Sequence, residues 1–222
     1  MTKSTQNIKN LASMAMLTAL AVAADIFLRI GGIGGFLTYE PKDVVLTIGA
    51  FLFGPVAGLI MSLVVCLVEM ITVSSTGPIG LLMNFLSSAV FVGVASVIYY
   101  RKKTMSRAVA GLIAAVLSMT AVMLLWNYIV TPMYMGVPRE QVVGMLLPLL
   151  LPFNLIKAAL NAALVLLLYK GAATALRKSG LVPKRDSYQS DNKRLNTVLV
   201  VVISAVAAVT LLLVLLIFAK IL

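Results

Sequence analysis

Apolar runs of bilayer-crossing length, each cut by a short polar or Gly-Pro break, constrain this chain more than any other feature. The first runs from about Leu11 to Ile30. A transmembrane helix needs about 20 mainly apolar residues to cross roughly 30 Å of hydrocarbon, so this run is read as a span rather than a cleaved leader. Runs and breakers together predict helices over 10–30, 43–53, 55–73, 78–100, 107–131, 148–176 and 195–220. Composition agrees: 61% of the 222 residues are hydrophobic and mean hydropathy is +1.07, whereas soluble domains hold about 45–50% apolar residues. The chain reads as an all-α integral membrane protein. The longest polar stretch, Arg177 to Arg194, is too short to bury a core of its own.

The second helix is predicted at only about 11 residues, or about 16 Å at 1.5 Å per residue, too short to cross. Gly54 and Pro55 separate it from the third, because proline removes a helical donor and restricts the residue before it. Broken helices side by side mark a cavity or a protein-covered interior, since lipid cannot satisfy freed backbone groups. The alternative is one kinked helix over 43–72.

Positive charge sets the expected orientation. Lys3 and Lys9 precede the first run, Arg101, Lys102, Lys103 and Arg107 follow the fourth, and seven more basic residues from Lys170 to Arg194 precede the last. The other side has Arg29, Lys42, Arg139 and Lys220, and Lys157 lies inside a run. The positive-inside rule then puts the N-terminus in the cytoplasm and, with 195–220 spanning, the C-terminus outside. The net charge of +11 is a topology signal; a nucleic-acid surface would need a basic fold or interleaved aromatics, and neither is present.

Polar groups within a bilayer are costly unless paired, so their positions carry information. Asp25, Glu69, Asn84, Asn127, Asn154, Lys157 and Asn161 all fall in the outer half or near the midplane of their runs. Asn154, Lys157 and Asn161 follow i, i+3, i+7 and share a helix face; Asn127 shares one with Thr131, and Asn84 with Ser87 and Ser88. Amides presented at one depth by several helices describe an outward-opening pocket with apolar walls and a few placed polar groups. Each amide taken singly reads as an interhelical hydrogen bond worth about 1 kcal/mol.

Enzyme chemistry finds little support. Histidine is absent and the single cysteine, Cys66, lies in an apolar run, which excludes Cys–His pairs, disulfides and zinc sites. Asp25 and Glu69 read as helix-end residues near water, not as a converging pair. "GGIGG" does not match a dinucleotide fingerprint, and no strand is expected before it. No metal or cofactor is expected. Ala15, Ala19 and Ala23 repeat at spacing four, a stripe that lets another helix approach closely, either within the chain or from a partner.

The segments "LTYEPKDVV", "FGPVAGLIMSLV", "STGPIGLLMNF" and "WNYIVTPMY", in this order, resemble the riboflavin-specific substrate-binding (S) component of energy-coupling factor (ECF) vitamin transporters, over about residues 10–178. The resemblance implies a six-helix bundle over 1–178 with a vitamin site opening outward beneath the first loop, while 179–194 is a basic linker and 195–222 an additional transmembrane helix beyond the family pattern. It implies that the alanine stripe docks on a transmembrane coupling protein driven by two cytoplasmic ATPases. Asn127, Asn154 and Lys157 match ligand-contacting positions, and the loop at Thr38 and Tyr39 covers the ligand, riboflavin or FMN.

The residues by themselves stop short of the vitamin. Asparagine offers a paired donor and acceptor to an amide-like edge or to hydroxyls, and lysine offers donors to a carbonyl. Asn84 and Asn161 join the candidate set on this ground. Tyr39, Trp126, Tyr128 and Tyr134 are available as ring contacts. Binders of folate, thiamine or pantothenate fit similar words, as does a non-transporting membrane scaffold. In the loop "GGFLTYEPKDVV", Asp43 is expected to cap the second helix and Glu40 and Lys42 to be solvated or loop-fixing. The stretch reads as a lid on a fixed hinge.

Overall fold

The computed structural model describes residues 3–33, 37–74, 76–180 and Val182. The expected helix over 195–220 and nearly all of the 179–194 linker lie outside the described residues. In chain order the elements are α1 (Lys3–Leu28), a two-stranded hairpin of β1 (Ile30–Ile33) and β2 (Leu37–Tyr39), α2 (Lys42–Phe53), α3 (Pro55–Thr72), α4 (Gly77–Tyr100), α5 (Met105–Met135), α6 (Arg139–Met145) and α7 (Leu151–Lys178).

Among the described residues five helical segments are long and apolar enough to cross a membrane: Gln6–Leu28, α3, α4, α5 and the continuous run Arg139–Lys178. Large apolar side chains face outward, as lipid-facing helices require: Phe27 is 82% exposed and Ile71 80%. The last run begins nine residues before the expected 148. A π-type turn over Leu146–Leu150 joins α6 to α7, and Pro148 and Pro152 lie where the ordinary ladder is disturbed.

The break between α2 and α3 is complete, so the single kinked helix is excluded. Gly54 adopts φ 106° and ψ 166°, a conformation open to glycine alone, and Pro55 starts α3 at its first position, where no helical donor is needed. A Cβ on Gly54 would stand 3.5 Å from the Tyr100 ring, which places the turn at the C-terminal end of α4. At 1.5 Å per residue the 12 residues of α2 rise about 18 Å and the 18 of α3 about 27 Å. Starting from one turn, α2 therefore stops about 9 Å short of α3.

The element before the glycine stretch is the helix α1, and the stretch, expected as a bending loop, contributes a strand to the hairpin. Its strands pair antiparallel, with Ile30 opposite Tyr39 and Ile33 opposite Leu37 and an irregular register between them. Beneath it the core is apolar, formed by residues such as Leu17, Val44, Phe51, Met61, Phe91 and Met119. Small residues let helices close in: a Cβ on Gly111 of α5 would come within 2.7 Å of the Ala95 carbonyl oxygen of α4, so this crossing depends on glycine.

Candidate ligand-binding site

The short α2 brings charged residues into the bundle. Lys42 and Asp43, its first two residues, are 0% and 1% exposed, and Glu40 just before it is 3% exposed. Glu40 and Lys42 are thus not solvated, which corrects half of the expectation for them; their loop-fixing role is visible. Asp43 is not a cap. Pro41 occupies the N-cap position without a side-chain bond, and the Asp43 carboxylate instead accepts from Ser88 Oγ of α4 at 2.5 Å. A carboxylate this deep needs a donor from a neighbouring element more than its own helix end needs a cap.

Glu40 is the centre of the arrangement. Its Oε1 accepts from Arg29 Nη2 at 2.7 Å and, more weakly, from Asn84 Nδ2 at 3.4 Å. Its Oε2 accepts from Lys157 Nζ at 2.9 Å and lies 3.2 Å from Lys42 Nζ. Burial alone would raise the pKa of Glu40; the nearby Lys157 and Lys42 charges outweigh it and hold the carboxyl below the usual carboxylate range. Glu69 of α3 is bonded by Arg29 and by Lys42, and by Asn84 Nδ2 at 2.6 Å. Arg29 also reaches the Val73 carbonyl at 3.2 Å and stands 3.6 Å from Asp25.

Asp25 and Glu69 are consequently neither near water nor apart. Both are buried, and one guanidinium lies between them. Any charge leaving this network strands its partners in a low-dielectric interior, at a cost of about 3–5 kcal/mol.

Five of the seven expected ligand residues meet here. Lys157 also donates to the Thr38 carbonyl at 3.3 Å. Asn161 accepts from Tyr39 Oη at 2.9 Å and donates to the Glu40 carbonyl at 3.4 Å. One face of α7 thus holds three consecutive residues of the hairpin and its exit, and Asn84 holds the same carboxylates from α4. Thr38 is half-buried and the other four are buried.

Asn127 and Asn154 are buried as well, but they are not drawn into the network. Asn127 Nδ2 donates to the Met123 carbonyl at 2.7 Å and its Oδ1 accepts from Thr131 at 2.9 Å. Asn154 Nδ2 donates to the Leu150 carbonyl at 2.7 Å. Tyr128 and Tyr134 are partly exposed, at 39% and 46%, and Arg139 lies over the Tyr128 ring at 5.1 Å; Tyr39 is the only one of the four expected ring contacts that is buried. Sequence reasoning missed Arg29, Glu40 and Lys42 as interior groups. The signal was present: Glu69 and Lys157 inside apolar runs need counter-ions, and the nearest loop supplies both signs.

A buried polar cluster with an amide- and ammonium-bearing helix face, roofed by a hairpin, sits among apolar helices of membrane-crossing length. A family model for the substrate-specific component of ECF transporters matches residues 9–169, and the chain belongs to that family, one of transporter components. It is similar to the riboflavin transporter RibU of Staphylococcus aureus (strain TCH60), with 33% identity over 180 residues, 78% of this chain and 95% of the relative. It also resembles the solved S component of a bacterial ECF transporter, with a TM-score of 0.66 and 33% identity over 77% of this chain and 99% of that one. The chain is a multi-pass membrane protein that serves as the substrate-specific part of a larger transporter.

Proposed function

We propose that this chain is the riboflavin-binding subunit of an ECF-type vitamin uptake transporter, taking the vitamin from the outer side and delivering it inward when coupled to an ATPase module. The carrying observation is the identity to a riboflavin transporter across 95% of that protein's length. The site residues are Asn127, Asn154, Lys157, Asn161 and Asn84, with Thr38 and Tyr39 of the hairpin above them. Their amides suit the pyrimidine-like edge and the hydroxyls of riboflavin, and the chain acts without catalysis. FMN shares the ring system and is the closest competing ligand; another vitamin of the same transporter class is the alternative.

The partners are a transmembrane coupling protein and two cytoplasmic ATPases. Ala15 and Ala19 are exposed and Ala23 half-buried, while Ser13, Leu17, Ala21 and Asp25 on the neighbouring stripe are buried. This leaves the alanine stripe free for a partner helix. The N-terminus is cytoplasmic by the positive-inside rule, and a C-terminal span would leave Leu222 outside.

Titration of the purified protein with riboflavin, read as loss of flavin fluorescence, tests the ligand. Quenching at or below micromolar protein is the expected result. Binding of a different vitamin without flavin quenching would overturn it.

A further inference from the structure

Glu40 makes its bonds to Arg29 from the end of α1, to Lys42 at the start of α2, to Asn84 of α4 and to Lys157 of α7. It is a carboxylate fixed from four directions, and its own position leaves it little freedom. Lys157 is the reverse: a long side chain with four rotatable bonds, 7% exposed, whose ammonium has two acceptors, Glu40 Oε2 and the Thr38 carbonyl. A lysine ammonium has three donors, so one remains for a ligand.

Lys42 and Lys157 meet across the same Glu40 oxygen. Without the carboxylate charge, two ammoniums would face each other in an interior where like charges repel strongly. Lys157 would then swing away from its place beside Asn154 and Asn161.

We infer that Glu40 is a positioning residue for ligand recognition: it touches no ligand, but it orients the Lys157 ammonium so that its third donor points to the bound molecule. The inference rests on the riboflavin reading given above. It gives the hairpin a second task besides covering the site, because the residue that ends the lid also sets the aim of the recognition lysine.

The test is a double-mutant cycle in riboflavin affinity on the purified full chain, with Glu40→Gln, Lys157→Met and the double variant. Glu40→Gln is expected to weaken binding by about 10-fold or more, the scale of one lost charged hydrogen bond. Adding Glu40→Gln to Lys157→Met is expected to weaken binding by no more than about twofold beyond Lys157→Met alone, since independent sites would add in full. Binding by Glu40→Gln within about twofold of the parent, or full additivity in the double variant, would overturn the inference. If Glu40→Gln does not fold, Glu40→Asp decides: it keeps the charge but withdraws the carboxylate by one methylene, so affinity should fall about fivefold or more with thermal stability retained, and unchanged affinity would overturn the inference. Absence of riboflavin binding by the parent protein would instead remove the ligand reading itself.

Discussion

The two ends of α2 sit in opposite surroundings. At its start Lys42 and Asp43 enter a buried network of carboxylates, ammoniums and amides. At its finish Phe51 stacks on Tyr99, with ring centroids 4.2 Å apart and planes inclined by 23°, and meets Tyr169 edge-on at 5.5 Å. The Tyr99 and Tyr169 hydroxyls bond each other at 2.7 Å.

The aromatic end gains from burial itself, since each ring removes 150–250 Å² or so from solvent or lipid contact and adds packing. The charged end gains nothing from burial; it is tolerable only because Glu40, Glu69 and Lys42 are each met by opposite charge. Such a cluster is poor at adding stability and good at enforcing one arrangement. That is the property a binding site requires, and it explains why the costly end of α2 is the one beneath the hairpin.

The strongest way to break this contrast is Lys42→Met. It leaves Arg29 as the cation that Glu40 and Glu69 still share and takes the bonded ammonium from Glu69 Oε2, and should destabilise the protein by about 3–5 kcal/mol. Thermal unfolding in detergent and yield from membranes would register it, and a stable Lys42→Met protein would show that the network is not balanced by this lysine.

Lys157→Met comes next. It removes the donors while keeping most of the apolar stem, and should weaken riboflavin binding by about 10- to 150-fold, from roughly 1.5–3 kcal/mol per charged hydrogen bond. Asn127→Leu on the facing helix is expected to act in the same direction. Asn127 is already satisfied within α5, so an unchanged affinity there would confine recognition to α7 and the hairpin.

At the aromatic end Tyr169→Phe deletes one hydroxyl and should cost about 0.5–1.5 kcal/mol of stability with no change in flavin affinity, as measured by unfolding with and without ligand. A loss of affinity would mean that the two ends of α2 are coupled.

The smallest effect on the isolated chain belongs to Ala19→Leu. An exposed position should move stability by no more than about 0.5 kcal/mol and leave riboflavin affinity unaltered, while assembly with the coupling protein and uptake both fall. Equal damage to affinity would place the alanine stripe inside this chain's own packing.

The helices were legible because their signals are local. Proline at the start of α3 and α4, glycine after α2 and the apolar periods between them put expected and observed bounds of α2, α3 and α4 within a residue or two of each other, whereas α5, expected to end at 131, runs through Pro132 to Met135. The hairpin was not legible, because "IGGIGGFLTY" has the glycines of a flexible loop and its pairing is set by what lies below it. The α7 face was found by its spacing alone. Its partners were not, since nothing local distinguishes a loop glutamate that meets water from one that ends between Arg29, Lys42 and Lys157.

What the sequence by itself determined is therefore the five membrane-crossing runs among the described residues, the break at Gly54 and Pro55, and the identity of the polar residues that a bilayer forces into pairs. Apolar length and backbone chemistry act on each segment separately, so a linear reading captures them. Only the tertiary structure decided which charges pair: α2 stops about 9 Å short of α3, the hairpin bonds to α7, and residues 29, 40, 42, 69, 84 and 157 arrive at one place. Electrostatic pairing depends on distances between elements far apart in the chain, and those distances exist only once the helices have packed.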